Sequence, residues 1–320
     1  MALTADPEVS EARDDGTSVT APETLLIAPA DLRRTISTSE GVVHWTELGE
    51  GTPLLFIQPW GPHPGVTAWM AFAEVAQELS DRYRCILLDL PNYGLSGPVE
   101  YHEPVHDVAV RAVIRLLDEL ELDRVVVVGG SMGGTTALDL ALTHPDRVSA
   151  LFVGSCHAST GGDPYLLAPF PPEAISYYLA SVEDPASEFH LRRFLGSLVH
   201  QHELLTEELV SQMISFRERS AAHIEAEAAS ATVAHSNLGD LHRITCPTVI
   251  FHGRIDRMVP LEQALMLAAY IRHADLVVFG ECGHWPSFER PHQFAIQLST
   301  FLKALNHSGH PDTTTQENAG

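Results

Sequence analysis

The chain has 320 residues, 45% of them hydrophobic, with 19 basic against 42 acidic side chains and a formal net charge of −23. That length suits one large α/β domain carrying an insertion, or two modest domains. The acidic balance argues against nucleic acid and anionic membrane surfaces as partners and leaves a small-molecule substrate.

Residues 1–30 are polar and read as disordered. With no apolar stretch in the first 20 residues to make a signal peptide, and no run near the roughly 18 residues of a membrane span, a cytoplasmic location is expected. Residues 42–48 alternate as an early strand. Leu54-Leu55-Phe56-Ile57 reads as a short buried strand, and the loop Gln58-Pro59-Trp60-Gly61-Pro62-His63-Pro64-Gly65 is too rich in proline and glycine to continue it. Residues 68–79 have helical spacing, residues 85–89 form another buried strand, and residues 105–120 make a strongly amphipathic helix. The valine run 125–128 is a strand, 135–144 a helix and 148–154 a strand. From 155 to about 240 the pattern is helical (174–182, 188–202, 207–217, 221–234) with no convincing strand. Strand 248–251, helix 261–271, strand 276–279 and helix 291–305 complete the rhythm. Strand and helix in short alternation predict a mostly parallel sheet covered on both faces. The expected organisation is therefore an α/β core over 31–154 and 241–305, a helical lid over 155–240, and a flexible tail over 306–320.

Gly129-Gly130-Ser131-Met132-Gly133-Gly134 lies between a valine strand and a helix, which is the pattern of a nucleophile elbow. The tight turn needs glycines around the serine, and the helix N-terminus offers free N–H groups to a developing oxyanion. A serine hydroxyl needs a histidine base, and that base needs a carboxylate to hold its tautomer. Asp256 follows the strand ending at Phe251, and His284 follows the strand ending at Phe279, in the order Ser, Asp, His that such sheets use. The other readings are an ion pair of Asp256 with Arg254 or Arg257, and Glu281 as a rival acid on the histidine's own loop. His252 belongs to a turn. His200 and His202 are two apart and share no helix face, so no metal site is expected. Cys85, Cys156, Cys246 and Cys282 are scattered and read as reduced thiols. The oxyanion donors expected are the N–H of Met132 and that of Trp60, because Pro59 and Pro62 have none.

On these motifs, with Asp89-Leu90-Pro91-Asn92-Tyr93-Gly94-Leu95-Ser96 and Cys282-Gly283-His284-Trp285, residues 40–305 resemble the α/β-hydrolase fold superfamily. Within it the chain is most similar to the meta-cleavage product hydrolases, which split a carbon–carbon bond in ring-fission diketones. The segment Leu204-Leu205-Thr206-Glu207-Glu208-Leu209-Val210 supports this. The chain departs from that family at Gln58-Pro59 (usually His-Gly), at Gly130 (usually Asn), after Trp69 (Met70-Ala71-Phe72, where Asn is usual) and at Met213 (usually Arg, with Arg217 one turn on). The resemblance implies a serine hydrolase acting on a small carbonyl substrate without cofactor. An esterase or lactonase is the alternative, and a non-catalytic ligand-binding protein is the remote one. Trp285, Gly130, Trp69, Phe194, Leu198 and Arg217 are the expected pocket residues, and a homodimer is left open.

Overall fold

The structure is a computed structural model that describes residues 24–39, 41–59, 65–160, 173–231 and 233–307. It begins with β1 (Arg33–Thr38) and β2 (Gly41–Leu48), an antiparallel pair. Strands and helices then alternate: β3 (Thr52–Ile57), α1 (Ala68–Leu79), β4 (Tyr83–Asp89), α2 (Val105–Glu119), β5 (Val125–Gly130), α3 (Met132–Thr143) and β6 (Val148–Gly154). A helical insertion follows, with α4 (Glu173–Glu183), α5 (Glu188–Leu198), α6 (Glu207–Arg219) and α7 (Ala221–Ala229) between the two-residue strands β7 (Ser159–Thr160) and β8 (His235–Ser236). β9 (Thr248–Gly253), α8 (Leu261–Tyr270), β10 (Ala274–Phe279), α9 (Pro286–Glu289) and α10 (Pro291–His307) complete the fold.

Eight strands form one sheet in the order β1-β2-β4-β3-β5-β6-β9-β10. β2 is antiparallel to both neighbours, and the strands from β4 to β10 are parallel. Alternation along each strand divides its side chains between two cores. Val125 and Val127 of β5, Leu55 and Ile57 of β3, and Leu151 and Val153 of β6 meet α2, α3 and α8 on one face. Val126, Val128, Leu54, Phe56 and Phe152 meet α1 and α10 on the other. A third apolar cluster lies between the insertion and the rest of the fold and joins Phe194, Leu198 and Met213 to Met70, Met258 and Trp285.

Several elements differ from the sequence reading. β1 carries Arg33-Arg34 and lacks an apolar run, so only its pairing with β2 makes it a strand. Within the supposed disordered segment 1–30, Leu26 and Ile27 are buried against the insertion, whereas residues 1–23 lie outside the described residues. α5 stops at Leu198 and α7 at Ala229, both short of the expected ends, and the insertion contains the small pair β7–β8. α10 reaches His307, and residues 308–320 are not described.

Two glycines bring the sheet and α3 into direct backbone contact. A Cβ on Gly129 would lie 2.5 Å from the Gly133 carbonyl oxygen and 2.9 Å from the Gly134 nitrogen, and one on Gly133 would strike the carbonyls of Ile57 and Gln58. Gly130 differs: its nearest neighbour would be the Phe251 ring at 3.8 Å, an ordinary contact. Gly129→Ala should therefore cost about 3 kcal/mol or more through overpacking, while Gly130→Ala should change stability by less than about 1 kcal/mol. Urea midpoints of the two variants check this, and equal costs would contradict it.

Candidate active site

Ser131 stands between β5 and α3 with φ 52° and ψ −123°, a left-handed conformation that L residues adopt only when the surroundings enforce it. Its N–H donates to the Gly154 carbonyl at 2.9 Å, and its own carbonyl accepts from the Thr135 N–H at 3.0 Å. Strand pairing and the first turn of α3 thus hold it from both sides. Met132 is the first residue of α3, so its N–H has no partner four residues back and lies at the positive end of the helix dipole.

Asp256 and His284 come together. His284 Nδ1 is 2.8 Å from Asp256 Oδ2, and both side chains are 1% exposed or less. Asp256 Oδ1 accepts the N–H groups of Met258 at 2.8 Å and Val259 at 2.9 Å. Burial alone would push the Asp256 carboxyl up. The field and hydrogen bond of His284, with His252 and the Val259 N–H, outweigh burial and hold the carboxyl below its usual range. His284 Nε2 is buried and has no hydrogen-bond partner among the described residues. The two loops are stitched together: Ile255 N–H donates to the Cys282 carbonyl at 2.9 Å. The Gly253 Cα lies so close that a Cβ would strike the Gly283 carbonyl. Glu281, the rival acid, is exposed, and Arg257 donates to the Gly196 carbonyl. His252 is buried in the Asp256 loop, with Nε2 3.0 Å from the Val259 carbonyl.

A cavity of about 390 Å³ opens beside Ser131 and Met132. The core contributes Thr135, Cys156, His157, Met258 and Val259, and the segment after β4 contributes Tyr93, Tyr101 and His106. Ile175, Tyr178, Leu179, Glu227 and Val233 come from the insertion. Burial pushes the Cys156 thiol up to about 12, so it offers no thiolate to compete with Ser131. The six expected pocket residues are not among the described residues lining this cavity. Trp69 packs on the α1–α10 face of the sheet, and Phe194, Leu198 and Trp285 belong to the apolar cluster shared by the insertion and the core. Arg217 is buried and donates to the Ser181 carbonyl at 2.8 Å. Gly130 pairs with Gly154 in the sheet, and a Cβ there would meet the Phe251 ring. Trp60 lies outside the described residues. The polar wall of Tyr101, His106, His157 and Glu227 is what sequence reasoning missed. Its one sequence signal is Tyr93, inside the Asp89–Ser96 motif. Among the described residues, no group of three or more His, Cys, Asp or Glu side chains could hold a metal, and no helix is long and apolar enough to cross a membrane.

The family model for the alpha/beta hydrolase fold matches residues 61–291. The chain is 33% identical over 266 residues to 2-hydroxy-6-oxononadienedioate/2-hydroxy-6-oxononatrienedioate hydrolase of Burkholderia vietnamiensis, covering 82% of this chain and 91% of that one. It is 32% identical to 2-hydroxy-6-oxo-6-phenylhexa-2,4-dienoate hydrolase of Comamonas testosteroni, covering 83% and 92%. Among solved structures, the meta-cleavage product hydrolase of Pseudomonas fluorescens superposes with a TM-score of 0.70 at 26% identity, over 85% of this chain and 97% of that one. The chain belongs to the α/β-hydrolase fold family, and its curated relatives set it beside the meta-cleavage product hydrolases within it.

One cavity residue makes stability depend on pH. His106 is 1% exposed, its Nδ1 is 3.3 Å from Thr136 Oγ1, and its ring stands 4.9 Å from that of His235. Burial lowers its pKa from 6.5 to about 4, with the nearby Asp139 opposing and His235 adding to the shift. Between those values the unfolded chain binds a proton that the folded one refuses, so stability falls as pH drops from 6.5 toward 4. His235 has the opposite sign: its hydrogen bond to Asp139 raises its pKa, so its contribution is complete at acid pH and lost as pH rises through the folded value. His106→Gln should reduce the loss of stability between pH 7 and pH 5 by about 2 kcal/mol. Urea midpoints measured across that range check the slope, and an unchanged slope would refute the assignment.

Proposed function

We propose that the chain is a serine hydrolase in which Ser131 attacks a carbonyl, His284 is its base and Asp256 orients that base. The observation that carries this reading is the His284–Asp256 pair, whose other imidazole nitrogen is buried and unengaged. It stands on loops at the same sheet edge as the strained Ser131, because β5, β9 and β10 are parallel and end together. His284 accepts the serine proton through Nε2 as the acyl–serine bond forms, and the resulting imidazolium is stabilised by Asp256. The oxyanion is held by the Met132 N–H. Trp60 supplies the second donor, since the Gln58 N–H already donates to the Leu88 carbonyl at 3.5 Å and Pro59 has none. His284 then protonates the leaving group, and water, deprotonated by the same histidine, releases the acid. The helical insertion acts as a lid over the site.

The relatives' names supply the substrate class, 2-hydroxy-6-oxo-dienoates, and the resemblance to meta-cleavage product hydrolases supplies the bond, a carbon–carbon bond. There the leaving group is a carbanion equivalent, made acceptable by tautomerising the dienol to its keto form before attack. A second reading, cleavage of an ester or lactone, is favoured by a specific observation. The relatives' substrates carry carboxylates, and no lysine or arginine is among the described residues that line the cavity. The protein works in the cytoplasm and acts on a small molecule.

A panel of a ring-fission diketone, a simple aryl ester and a lactone separates the two readings by product. In either case Ser131→Ala should lose about 10⁴ to 10⁶ in kcat. Asp256→Asn, which preserves the fold but disfavours the productive tautomer, should lose up to about 10⁴. Turnover above about one per cent in the alanine variant would remove Ser131 from the mechanism.

A further inference from the structure

Resting on Ser131 as the nucleophile, we infer that the Glu227 carboxylate is this chain's recognition group for the non-reacting end of the substrate, selecting a cationic or hydrogen-bond-donating end and rejecting a carboxylate.

Glu227 lies on α7 and lines the same cavity as Ser131. One of its oxygens, Oε2, accepts the Tyr101 hydroxyl at 2.7 Å. The other oxygen makes no hydrogen bond among the described residues and is available to a ligand. Tyr93 and Tyr178 also line the cavity, and both feel the Glu227 charge. A carboxylate among three phenol rings suits a positive or donating group, with the ring faces adding cation–π attraction.

Among the described residues that line the cavity, no cation offsets this charge. The described lining residues include no Arg or Lys. The internal stretches outside the described residues, 60–64 and 161–172, contain neither residue type in sequence. Arg217, whose charge reaches Tyr178, donates to the Ser181 carbonyl and is not among the lining residues. Burial accordingly pushes the Glu227 carboxyl up, with only the Tyr101 hydrogen bond pulling it back, and a bound cation would supply the missing counter-charge.

A purely structural role for Glu227 is disfavoured by what surrounds it. The Tyr101 segment is fastened to the end of α7 without the carboxylate, by the Tyr101 N–H to Ser230 Oγ at 3.0 Å and the Ala231 N–H to the Tyr101 carbonyl at 2.9 Å.

The test uses alkyl fluorophosphonates of equal chain length ending in trimethylammonium, methyl or carboxylate, with the rate of Ser131 phosphonylation read by intact mass. In the wild-type protein the trimethylammonium probe should react at least about tenfold faster than the carboxylate probe. Glu227→Gln, which keeps an acceptor for Tyr101, should narrow that ratio to about threefold or less. Glu225→Gln, which removes an exposed charge from the same helix, should leave the ratio unchanged and so controls for the general acidity of the chain. Equal rates for the charged probes in wild type, a faster carboxylate probe, or a preference that survives Glu227→Gln would each overturn the inference. Because the first two are read on unaltered protein, a variant that fails to fold cannot protect it. If the methyl probe leaves Ser131 unlabelled, the nucleophile assignment itself fails, which is a separate result.

Discussion

The structure depends on how closely the first turn of α3 approaches the ends of β3 and β5. That contact is backbone against backbone: Gly129 meets the Gly133 carbonyl, and Gly133 meets the carbonyls of Ile57 and Gln58. No side chain fits between them, so the turn closes within one residue and Ser131 takes up the strain at φ 52°. A strained residue of this kind costs about 1 to 3 kcal/mol and persists only where the surroundings over-determine it. Here they do, through the Ser131–Gly154 and Thr135–Ser131 backbone bonds. Gly154 in turn ends β6, where a Cβ would strike the Phe251 carbonyl of β9. The same close spacing therefore runs from β3 across to β9, whose end carries the Asp256 loop, with the His284 loop following β10 one strand beyond.

The insertion is fastened to the same machinery rather than resting on it. The His284 N–H donates to the Leu198 carbonyl at the end of α5, at 2.6 Å. Glu289, just beyond His284, divides its carboxylate between the two sides. One oxygen accepts the Gly283 N–H at 2.8 Å, and the other accepts the His200 N–H at 2.6 Å and the Gln201 N–H at 3.2 Å. On the far side of the insertion, His223 of α7 bonds the Ser96 carbonyl at 2.7 Å. Ser96 Oγ itself donates to the Asp89 carbonyl and accepts the His44 N–H. A change at the C-terminal end of α5 is thus felt directly by the backbone that carries His284.

What the sequence made legible follows from how local each signal is. The central strands announce themselves as β-branched runs that must be buried on both faces, and Ser131, Asp256 and His284 each stand next to such a run. The elbow glycines are legible for the same reason, since the contact they permit spans four residues. β1 was not legible, because its arginines and threonines become a strand only by pairing with β2. Nor was the cavity wall. Tyr101 and Glu227 are 126 residues apart in sequence, and no local pattern distinguishes an aromatic residue facing a cavity from one facing its neighbours. Phe194, Leu198 and Trp285 sit at the spacing of a pocket lining, yet they pack on each other. Apolar side chains of an insertion must first seal it against the fold it sits on, here against Val66, Met70 and Met258.

Family membership therefore transfers the reaction more securely than the substrate. The backbone contacts that place Ser131, Asp256 and His284 run between the sheet, α3 and the loops after β9 and β10, and the side chains of the cavity wall take no part in them. The wall depends on side chains from α4, α7 and the segment after β4, which can vary without disturbing that geometry. In this chain Arg217 donates to the Ser181 carbonyl and does not line the cavity, and the described wall presents phenols and a carboxyl. The relatives named for carboxylate substrates and this chain can share one acyl-transfer apparatus and still prefer opposite charge at the far end of the molecule they cut. Charge of opposite sign in a half-buried cavity discriminates strongly, because solvent screens such a pair far less than one on the surface.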